Sequence, residues 1–281
     1  MKIVIVYNRS AGSYSPDRVQ RLSAALAARG HAILAGDCRD IDLHASLRDS
    51  DLLCIAGGDG TVRDLVAALP AEGVPPIAIY PMGTINLVAR EAGFSADIER
   101  FADRISHPAT DRLHYLGDVG GKPFLTCLSA SPDSFAVAAM SPRIKRHFGR
   151  LAYLLAFLRS LLRWHRPQIR VTVDGPSHAC EAAYVLKGRY YAGPWMLEPR
   201  ADLRTGQFEL LLLPRARRRD FLRLCLFAMV SRRFAHPDWI FLSATHFEIA
   251  CDEQVPVQAD GDIVTQLPVR IAINKRMLRF A

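Results

Sequence analysis

Apolar runs of strand length alternate with segments of helical periodicity through the first part of the chain, and this alternation constrains the fold more than any other feature. The predicted strands cover residues 2–7, 31–35, 51–56 and 77–80, and the predicted helices cover residues 16–29, 62–69, 84–92 and 97–107. Such alternation is typical of a parallel sheet covered by helices. The sequence therefore predicts an α/β domain.

The second part of the chain consists mainly of β-branched runs separated by glycine and proline turns. These runs cover residues 170–173, 182–186, 208–213, 247–251, 255–259 and 269–273. Runs of this kind favour antiparallel pairing. We therefore predict two domains, an α/β domain over residues 1–113 and a β-rich antiparallel sandwich over residues 114–281.

Several classes of protein are disfavoured by the composition. The six cysteines show no paired spacing, so neither a disulfide framework nor a zinc site is expected. The first residues lack the apolar core of a signal peptide. The apolar stretches 151–162 and 221–230 are shorter than the ~20 residues that span a bilayer. We expect a cytoplasmic protein without a transmembrane helix.

The net charge of +8 comes from 36 basic and 28 acidic residues and favours anionic partners. The excess is concentrated in residues 143–166 and 215–233. No DNA- or RNA-binding module is recognisable, and basic charge alone is weak support for nucleic-acid binding. We expect no nucleic-acid partner.

The segment Gly57-Gly58-Asp59-Gly60-Thr61 lies between a predicted strand and a predicted helix, where open α/β sheets bind ligands. Its glycines let backbone N–H groups approach a polyphosphate, and the helix N-terminus adds further donors. Asp59 is a candidate for holding magnesium through water. The alternative is a glycine turn without a ligand. Neither a P-loop nor a G-x-G-x-x-G motif is present.

A second glycine-bearing turn, residues 81–86 (PMGTIN), also lies between a predicted strand and a predicted helix. The two turns would lie side by side at one edge of the sheet and form a cleft. Thr84 could contact a phosphate there, although threonine before a helix is commonly only a cap.

Together with residues 8–12 (NRSAG), these segments resemble the diacylglycerol kinase catalytic family, which includes bacterial lipid kinases and sphingosine kinases. GGDGT and PMGT match the family pattern fully. The resemblance implies a Rossmann-like domain of the NAD kinase and diacylglycerol kinase type, with ATP and Mg²⁺ as cofactors. The implied nucleotide-binding residues are Asn8, Arg9, Ser10, Ala11, Gly12, Gly57, Gly58, Asp59, Gly60, Thr61, Gly83 and Thr84.

The segment VQADGD at residues 257–262 occupies the place of a family D-G-E motif. The resemblance implies that a carboxylate here is the general base, as phosphoryl transfer to an alcohol requires. Asp260 and Asp262 are the candidates, and Asp262 is shorter than the usual Glu. The alternative is a hairpin turn, for which D-G is a strong signal. Both interpretations are compatible.

The chain departs from the family pattern at several positions. Arg9 replaces Pro, Arg63 and Asp64 replace Asn and Glu, and Leu87 replaces Asp. Where the family carries a D-G-x-x-D stretch for a supporting magnesium, this chain has residues 204–209 (RTGQFE), so that second metal site is doubtful. Asp133 is the implied contact for the lipid headgroup, with a surface-loop aspartate as the alternative.

Residues 147–166 place leucines at helical spacing among arginines, which fits either core packing with a basic edge or a membrane surface. Residues 215–219, beside Phe221 and Leu222, are the better membrane candidate. The resemblance to the diacylglycerol kinase catalytic family implies ATP- and Mg²⁺-dependent phosphorylation of a hydroxyl of a diacylglycerol-like lipid, in a cleft between the two domains. The enzyme would act at the inner face of an anionic membrane, and a homodimer is compatible with the sequence.

Two other functions remain open. The first is a kinase of a soluble acceptor, similar to an NAD kinase. The second is a nucleotide-binding regulatory protein that has lost catalysis, because the side chain of Asp262 is one methylene shorter than glutamate.

Overall fold

The computed structural model describes residues 1–70, 72–107, 113–140, 153–230 and 236–281. The chain divides into two compact units, which are described separately. The first unit contains Met1–Tyr115 and Arg276–Ala281, and the second contains Leu116–Lys275. The predicted second domain ran to residue 281, whereas the last six residues belong to the first unit. They do so because Phe280 forms a parallel bridge with Ile77.

The first unit contains a four-stranded parallel sheet with the order β2-β1-β3-β4, which confirms the predicted α/β class. Its strands are β1 (Lys2–Tyr7), β2 (Ala32–Asp37), β3 (Leu52–Gly57) and β4 (Ile77–Pro81). Its helices are α1 (Pro16–Ala27), α2 (Leu43–Leu47), α3 (Asp59–Ala68), α4 (Leu87–Glu91) and α5 (Ile98–Ser106). The central strand β3 is buried along its whole length, as its apolar sequence requires.

The helices of the first unit follow local sequence signals. Pro16 occupies the first turn of α1, and residues at helical spacing on that helix are buried. The side chain of Asp97 caps α5 by accepting from the backbone N–H of Arg100 at 2.9 Å. The short helix α2 was not predicted, because five residues are too few to show a period.

The second unit is built on two six-stranded sheets with antiparallel pairing, as predicted. One sheet has the order β14-β13-β10-β7-β16-β17, and the other has the order β6-β5-β18-β15-β8-β9. The strands are β5 (Leu113–Val119), β6 (Lys122–Phe124), β7 (Cys127–Ala130), β8 (Ile169–Thr172), β9 (Ser177–Cys180), β10 (Ala182–Leu186), β11 (Tyr190–Tyr191), β12 (Trp195–Met196), β13 (Phe208–Leu213), β14 (Ile240–Ala244), β15 (His246–Cys251), β16 (Pro256–Ala259), β17 (Asp262–Gln266) and β18 (Val269–Arg279).

The hydrophobic core of this unit draws on both sheets, as in a sandwich. Phe208 of β13 stacks on Phe124 of β6 at 5.7 Å and meets Phe247 of β15 edge-on at 5.7 Å. These aromatic contacts join strands that lie far apart in sequence. Alternating inward-facing positions of this kind produce the strand pattern seen in the sequence.

In the described part of the second unit, three helices accompany the sheets: α6 (Pro132–Ala139), α7 (residues 153–162) and α8 (Arg218–Val230). Leu161 of α7 is buried, but Leu154, Leu155, Leu158 and Leu162 are exposed. The core-packing interpretation of the leucine stripe is therefore wrong for these four residues, while residues 141–152 lie outside the described part. None of the helices described is long and apolar enough to cross a membrane.

Candidate functional site

Three turns of the first unit converge where β1, β3 and β4 end. A Cβ atom built on Gly83 would lie 2.4 Å from the Cα of Gly58, and one built on Gly58 would lie 2.9 Å from the Cα of Gly83. A Cβ atom on Gly12 would lie 3.1 Å from the Oγ1 of Thr84. The backbones of two turns therefore touch directly, and only glycine allows this approach. We call residues 8–12, 57–61 and 83–86 the three-turn cradle.

Hydrogen bonds between strands fix the cradle. The side-chain amide of Asn8 donates to the Oγ1 of Thr61 at 2.9 Å. The backbone N–H of Ser13 donates to the carbonyl of Met82 at 3.0 Å, and that of Met82 donates to the carbonyl of Gly57 at 3.0 Å. Each of the three turns is thus bonded to another. The parallel order β1-β3-β4 brings together residues that are far apart in sequence.

The loop after β1 is a compact turn. The Asn8 side chain accepts from the backbone N–H of Ser10 at 2.8 Å, and the Asn8 carbonyl accepts from the N–H of Ala11 at 3.0 Å. Asparagine favours turns because its side chain forms local hydrogen bonds of this type with the backbone. Asn8 therefore orders its own loop and also contacts the GGDGT segment.

The GGDGT segment leads directly into α3. The N-cap residue is Gly58, which has no side chain to accept from the first-turn N–H groups. Gly60 lies in that first turn and is half-buried, and Thr61 is buried. The start of α3 therefore offers backbone donors and a positive dipole end, both suited to an anion.

The carboxylate of Asp59 accepts from the backbone N–H of Val88 at 3.0 Å, so it holds the first turn of α4. Asn86 precedes α4 in a left-handed conformation, accepts from the N–H of Gly83 at 2.7 Å and donates to its carbonyl at 2.9 Å. The helix begins at Leu87 rather than at Thr84, so Thr84 lies exposed in the turn and does not cap it. The sequence interpretation missed Asn86, although asparagine tolerates left-handed geometry.

A pair of arginines borders the cradle. The backbone N–H groups of Arg9 and Arg39 each donate to the Asp37 carboxylate at 3.0 Å. The Arg9 side chain pairs with Asp40 at 2.9 Å, and Arg39 donates to the Oγ of Ser10. Burial alone would raise the pKa of Asp37, but these backbone donors and both guanidinium groups hold that pKa below its usual value. The rim therefore carries two exposed guanidinium groups, which are paired with the buried Asp37 and the exposed Asp40.

Three of the departures from the family pattern lie on α3 and α4. Arg63 forms an ion pair with Asp64 at 3.0 Å on α3, and Leu87 is buried at the start of α4. None of these three residues belongs to the three-turn cradle.

In the second unit, Asp260 and Gly261 form the two-residue turn between β16 and β17, both with positive φ. The hairpin interpretation is therefore confirmed. The Asp260 carboxylate is buried and accepts from Leu125 N at 2.7 Å, Thr126 N at 2.8 Å, Thr126 Oγ1 at 2.7 Å and Cys127 N at 3.2 Å. These donors use the lone pairs that a carboxylate offers. Asp262 begins β17 and is half-exposed.

Asp133 lies at the start of α6 with 3% of its surface exposed. Its carboxylate accepts from the hydroxyls of Ser129, Ser131 and Tyr191. Burial raises the pKa of Asp133, and the hydroxyl donors only partly offset this rise. A role in lipid binding stays a prediction, and it would require this buried cluster to open.

Gln258 of β16 connects that cluster to the β16–β17 turn. Its Nε2 donates to the Oγ of Ser129 at 3.0 Å, and its Oε1 accepts from the backbone N–H of Gly261 at 2.9 Å. No sequence motif singled out Gln258, because the partners of its side chain come from distant strands.

Residues 204–209 do not form a carboxylate cluster. Arg204 binds Asp202 at 2.6 Å, and this hydrogen bond is the main reason that the pKa of Asp202 is lowered to about 2. Within the described residues, no group of three or more His, Cys, Asp or Glu side chains is placed to hold a metal ion.

Comparison with known proteins gives matches along most of the chain. Residues 2–116 match the family model of the diacylglycerol kinase catalytic domain. Residues 128–281 match the model of the YegS C-terminal NAD kinase beta sandwich-like domain.

Curated relatives include a diacylglycerol kinase of Bacillus subtilis, 26% identical over 238 residues, which cover 83% of this chain and 78% of the relative. A Pseudomonas aeruginosa protein described as "Probable lipid kinase YegS-like" is 33% identical over 184 residues, or 64% of this chain and 60% of the relative. A solved diacylglycerol kinase from Bacillus anthracis has a TM-score of 0.73 at 18% identity and covers 100% of this chain and 97% of that structure. An NAD kinase from Archaeoglobus fulgidus in complex with ATP has a TM-score of 0.56 at 16% identity, covering 100% and 93%. The solved structures support the fold alone.

Proposed function

The chain belongs to the diacylglycerol kinase catalytic-domain family, and on that premise we propose that it transfers the γ-phosphoryl group of ATP, with Mg²⁺, to a hydroxyl of a diacylglycerol-like lipid. The observation that carries the proposal is the three-turn cradle, in which Gly58 and Gly83 meet backbone to backbone. An enclosure of backbone donors without side chains is suited to a polyphosphate.

The residues of the cradle fit the phosphates of ATP. The first-turn donors of α3 would bind phosphate oxygens, and the guanidinium groups of Arg9 and Arg39 would add positive charge at the rim. Asp59 is the carboxylate of the cradle, so Mg²⁺ would be held by it through water and mainly by the phosphates. When bound, ATP supplies the transferable phosphoryl group and the metal neutralises its charge.

We assign the general base to Asp262 rather than Asp260. Asp260 already accepts four hydrogen bonds, three at Oδ1 and one at Oδ2, which fix its carboxylate in the anchoring of the turn. Asp262 is the first residue of β17 and is partly exposed, so a lipid hydroxyl could donate its proton to this carboxylate. In this assignment Asp260 positions the turn and Asp262 accepts the proton.

A lipid acceptor accounts for surface features of the second unit that a soluble acceptor does not need. Leu222, Leu226 and Met229 of α8 are each more than half exposed, at 59%, 60% and 58%. Arginines lie at the start of the same helix, in residues 215–219. Exposed apolar side chains beside arginines favour binding at an anionic membrane surface. The proposed enzyme works there as a peripheral protein.

The test is transfer of label from γ-labelled ATP with Mg²⁺ to an acceptor panel in mixed micelles. The panel contains diacylglycerol, monoacylglycerol, a sphingoid base, phosphatidylglycerol and, as a soluble acceptor, NAD. Labelled lipid that disappears with Gly83→Ala supports the proposal. Label in NAD alone would replace it with the NAD kinase-like function. ATP binding without any labelled acceptor would favour the regulatory protein, unless Asp262→Glu restores transfer.

A further inference from the structure

Lys187 is a fully buried lysine whose charge is enclosed by backbone carbonyls. It follows β10 directly, and its side chain has no exposed surface. The Nζ atom donates to the carbonyls of Asp202 at 2.9 Å, Leu203 at 3.2 Å and Thr205 at 2.5 Å. Three acceptors match the three N–H donors of an ammonium group. The arrangement therefore suits the charged form of the side chain, which burial would otherwise disfavour.

The loop of residues 202–205 does not suit a divalent cation. Its carbonyls converge as they do around a bound ion, but the ammonium group already occupies their centre. The Asp202 carboxylate is bound by Arg204 through Nε at 3.0 Å and Nη2 at 2.6 Å. Thr205 supplies a hydroxyl that donates to the Asp202 carbonyl at 2.9 Å. The available carboxylate is thus neutralised by an arginine.

We propose that the ammonium group of Lys187 is the permanent cation of this loop, in the place of the supporting magnesium that the resemblance implied. A side-chain cation cannot dissociate or be removed by a chelator. The loop of residues 202–205 would then require no magnesium.

The same lysine is a positioning residue for the β16–β17 turn. The backbone N–H groups of Lys187 and Gly188 donate to the Thr126 carbonyl at 2.8 and 2.9 Å. Thr126 in turn donates to the Asp260 carboxylate through N at 2.8 Å and Oγ1 at 2.7 Å. The loop around the ammonium group is thus connected to the turn that precedes Asp262. This second role rests on the proposed function, whereas the cation role does not.

The cation role is tested on the nucleotide-free protein by thermal unfolding in EDTA and in millimolar Mg²⁺, together with elemental analysis of the purified protein. We expect no stoichiometric metal and the same Tm in both buffers. A Tm that rises saturably with Mg²⁺, and still does so in Asp59→Asn, would overturn the proposal. So would a bound ion whose removal by EDTA lowers Tm. Neither readout requires kinase activity, so a chain without lipid phosphorylation would leave this conclusion standing.

The positioning role is tested with Lys187→Met, which keeps the length of the side chain but removes the charge. The matched control is Lys122→Met, because Lys122 is an exposed lysine that donates to one carbonyl, that of Val264, at 2.8 Å. We expect Lys187→Met to lower Tm and to reduce kcat at least tenfold while KM for ATP changes less than twofold. The control should change neither. Wild-type Tm and kcat in Lys187→Met would refute the role.

Thr126→Val keeps the test decisive if Lys187→Met does not fold. It removes the hydroxyl donor to Asp260 and leaves the three hydrogen bonds of the Thr126 backbone in place. We expect a fall in kcat with an unchanged KM for ATP. An unchanged kcat would contradict the connection between Thr126 and the turn, and a parallel rise in KM for ATP would point to general loosening instead.

Discussion

Gly83→Ala tests the cradle directly. The new methyl group would lie 2.4 Å from the Cα of Gly58 and 2.7 Å from the Oδ1 of Asn86. Carbon atoms in contact normally lie about 3.5–4.0 Å apart, so the turns would have to separate by about 1 Å. Overpacking of this kind costs about 1–3 kcal/mol. Loss of the two Asn86 hydrogen bonds to Gly83 would add about 1 kcal/mol each.

The total of about 3–5 kcal/mol is divided between folding stability and nucleotide binding. Each 1.4 kcal/mol that falls on binding raises the Kd for ATP about tenfold. We therefore expect the Kd for ATP, measured by titration calorimetry, to rise at least about tenfold, and Tm to fall by several degrees.

The matched control is Gly30→Ala. Gly30 has a φ of 80° and no atom within 4 Å of an added Cβ, so alanine there is strained but not crowded. The left-handed conformation costs about 1–2 kcal/mol for a residue with a Cβ atom. This variant should lower Tm while leaving the Kd for ATP unchanged. Wild-type ATP affinity and Tm in Gly83→Ala would refute the geometry of the cradle.

Three further outcomes follow from the second unit. Asp260→Asn should lower the free energy of unfolding by about 1.5–3 kcal/mol, because its amide cannot accept four hydrogen bonds, whereas Asp262→Asn should leave Tm unchanged in thermal unfolding. The hydrogen bond from Arg204 lowers the pKa of Asp202 from 3.8 to about 2, so this ion pair stabilises the folded protein above pH 3.8. That contribution is lost as the pH falls from 3.8 towards 2. In urea titrations at a series of pH values, the free energy of unfolding of Arg204→Gln should therefore fall less than that of the wild type over this range. Leu226→Ser should weaken binding to anionic vesicles about tenfold in a sedimentation assay, because one exposed leucine no longer enters the bilayer.

Each of these outcomes has a contrary result. Equal losses of Tm in Asp260→Asn and Asp262→Asn would contradict the assignment of turn positioning to Asp260 and of proton acceptance to Asp262. The same fall in unfolding free energy with pH in Arg204→Gln and the wild type would show that the ion pair with Asp202 contributes nothing to stability. Leu34→Ser is the control for the vesicle assay, since Leu34 is 51% exposed in the first unit. Equal weakening in both leucine variants would count against α8 as the membrane surface.

The strand, turn and helix pattern was sufficient to predict the four parallel strands and most helices of the first unit, because those elements carry local signals. The short helix α2 and the C-terminal residues of that unit carry no such signal. β3 is apolar and ends in Gly57, which Gly58 and Gly60 follow closely, so the position of GGDGT at the end of a buried strand followed directly. The same signals gave the position of Gly83. The contact between Gly58 and Gly83 depends on the order of the parallel strands, which local periodicity does not contain.

Residues that act through distant partners were not predicted. The donors to Asp260 lie more than 130 positions earlier in the chain, so the sequence showed a turn but not its anchoring. From the sequence alone Lys187 cannot be distinguished from a surface lysine, because the sequence does not show its three carbonyl acceptors. The α7 leucines fitted a core and a surface equally well, because helical spacing shows that one face is apolar but not what covers it.

In the proposed reaction, Asp262 accepts a proton from a lipid hydroxyl during phosphoryl transfer from ATP. This role is tested most directly by the rate of label transfer from γ-labelled ATP to diacylglycerol in mixed micelles, for wild type and Asp262→Asn. We expect the wild type to form a labelled lipid. We expect kcat for this reaction to fall about 10²–10⁴-fold in Asp262→Asn, with an unchanged Kd for ATP. Equal kcat in the two proteins, or no labelled lipid from a wild-type protein that binds ATP, would contradict this role.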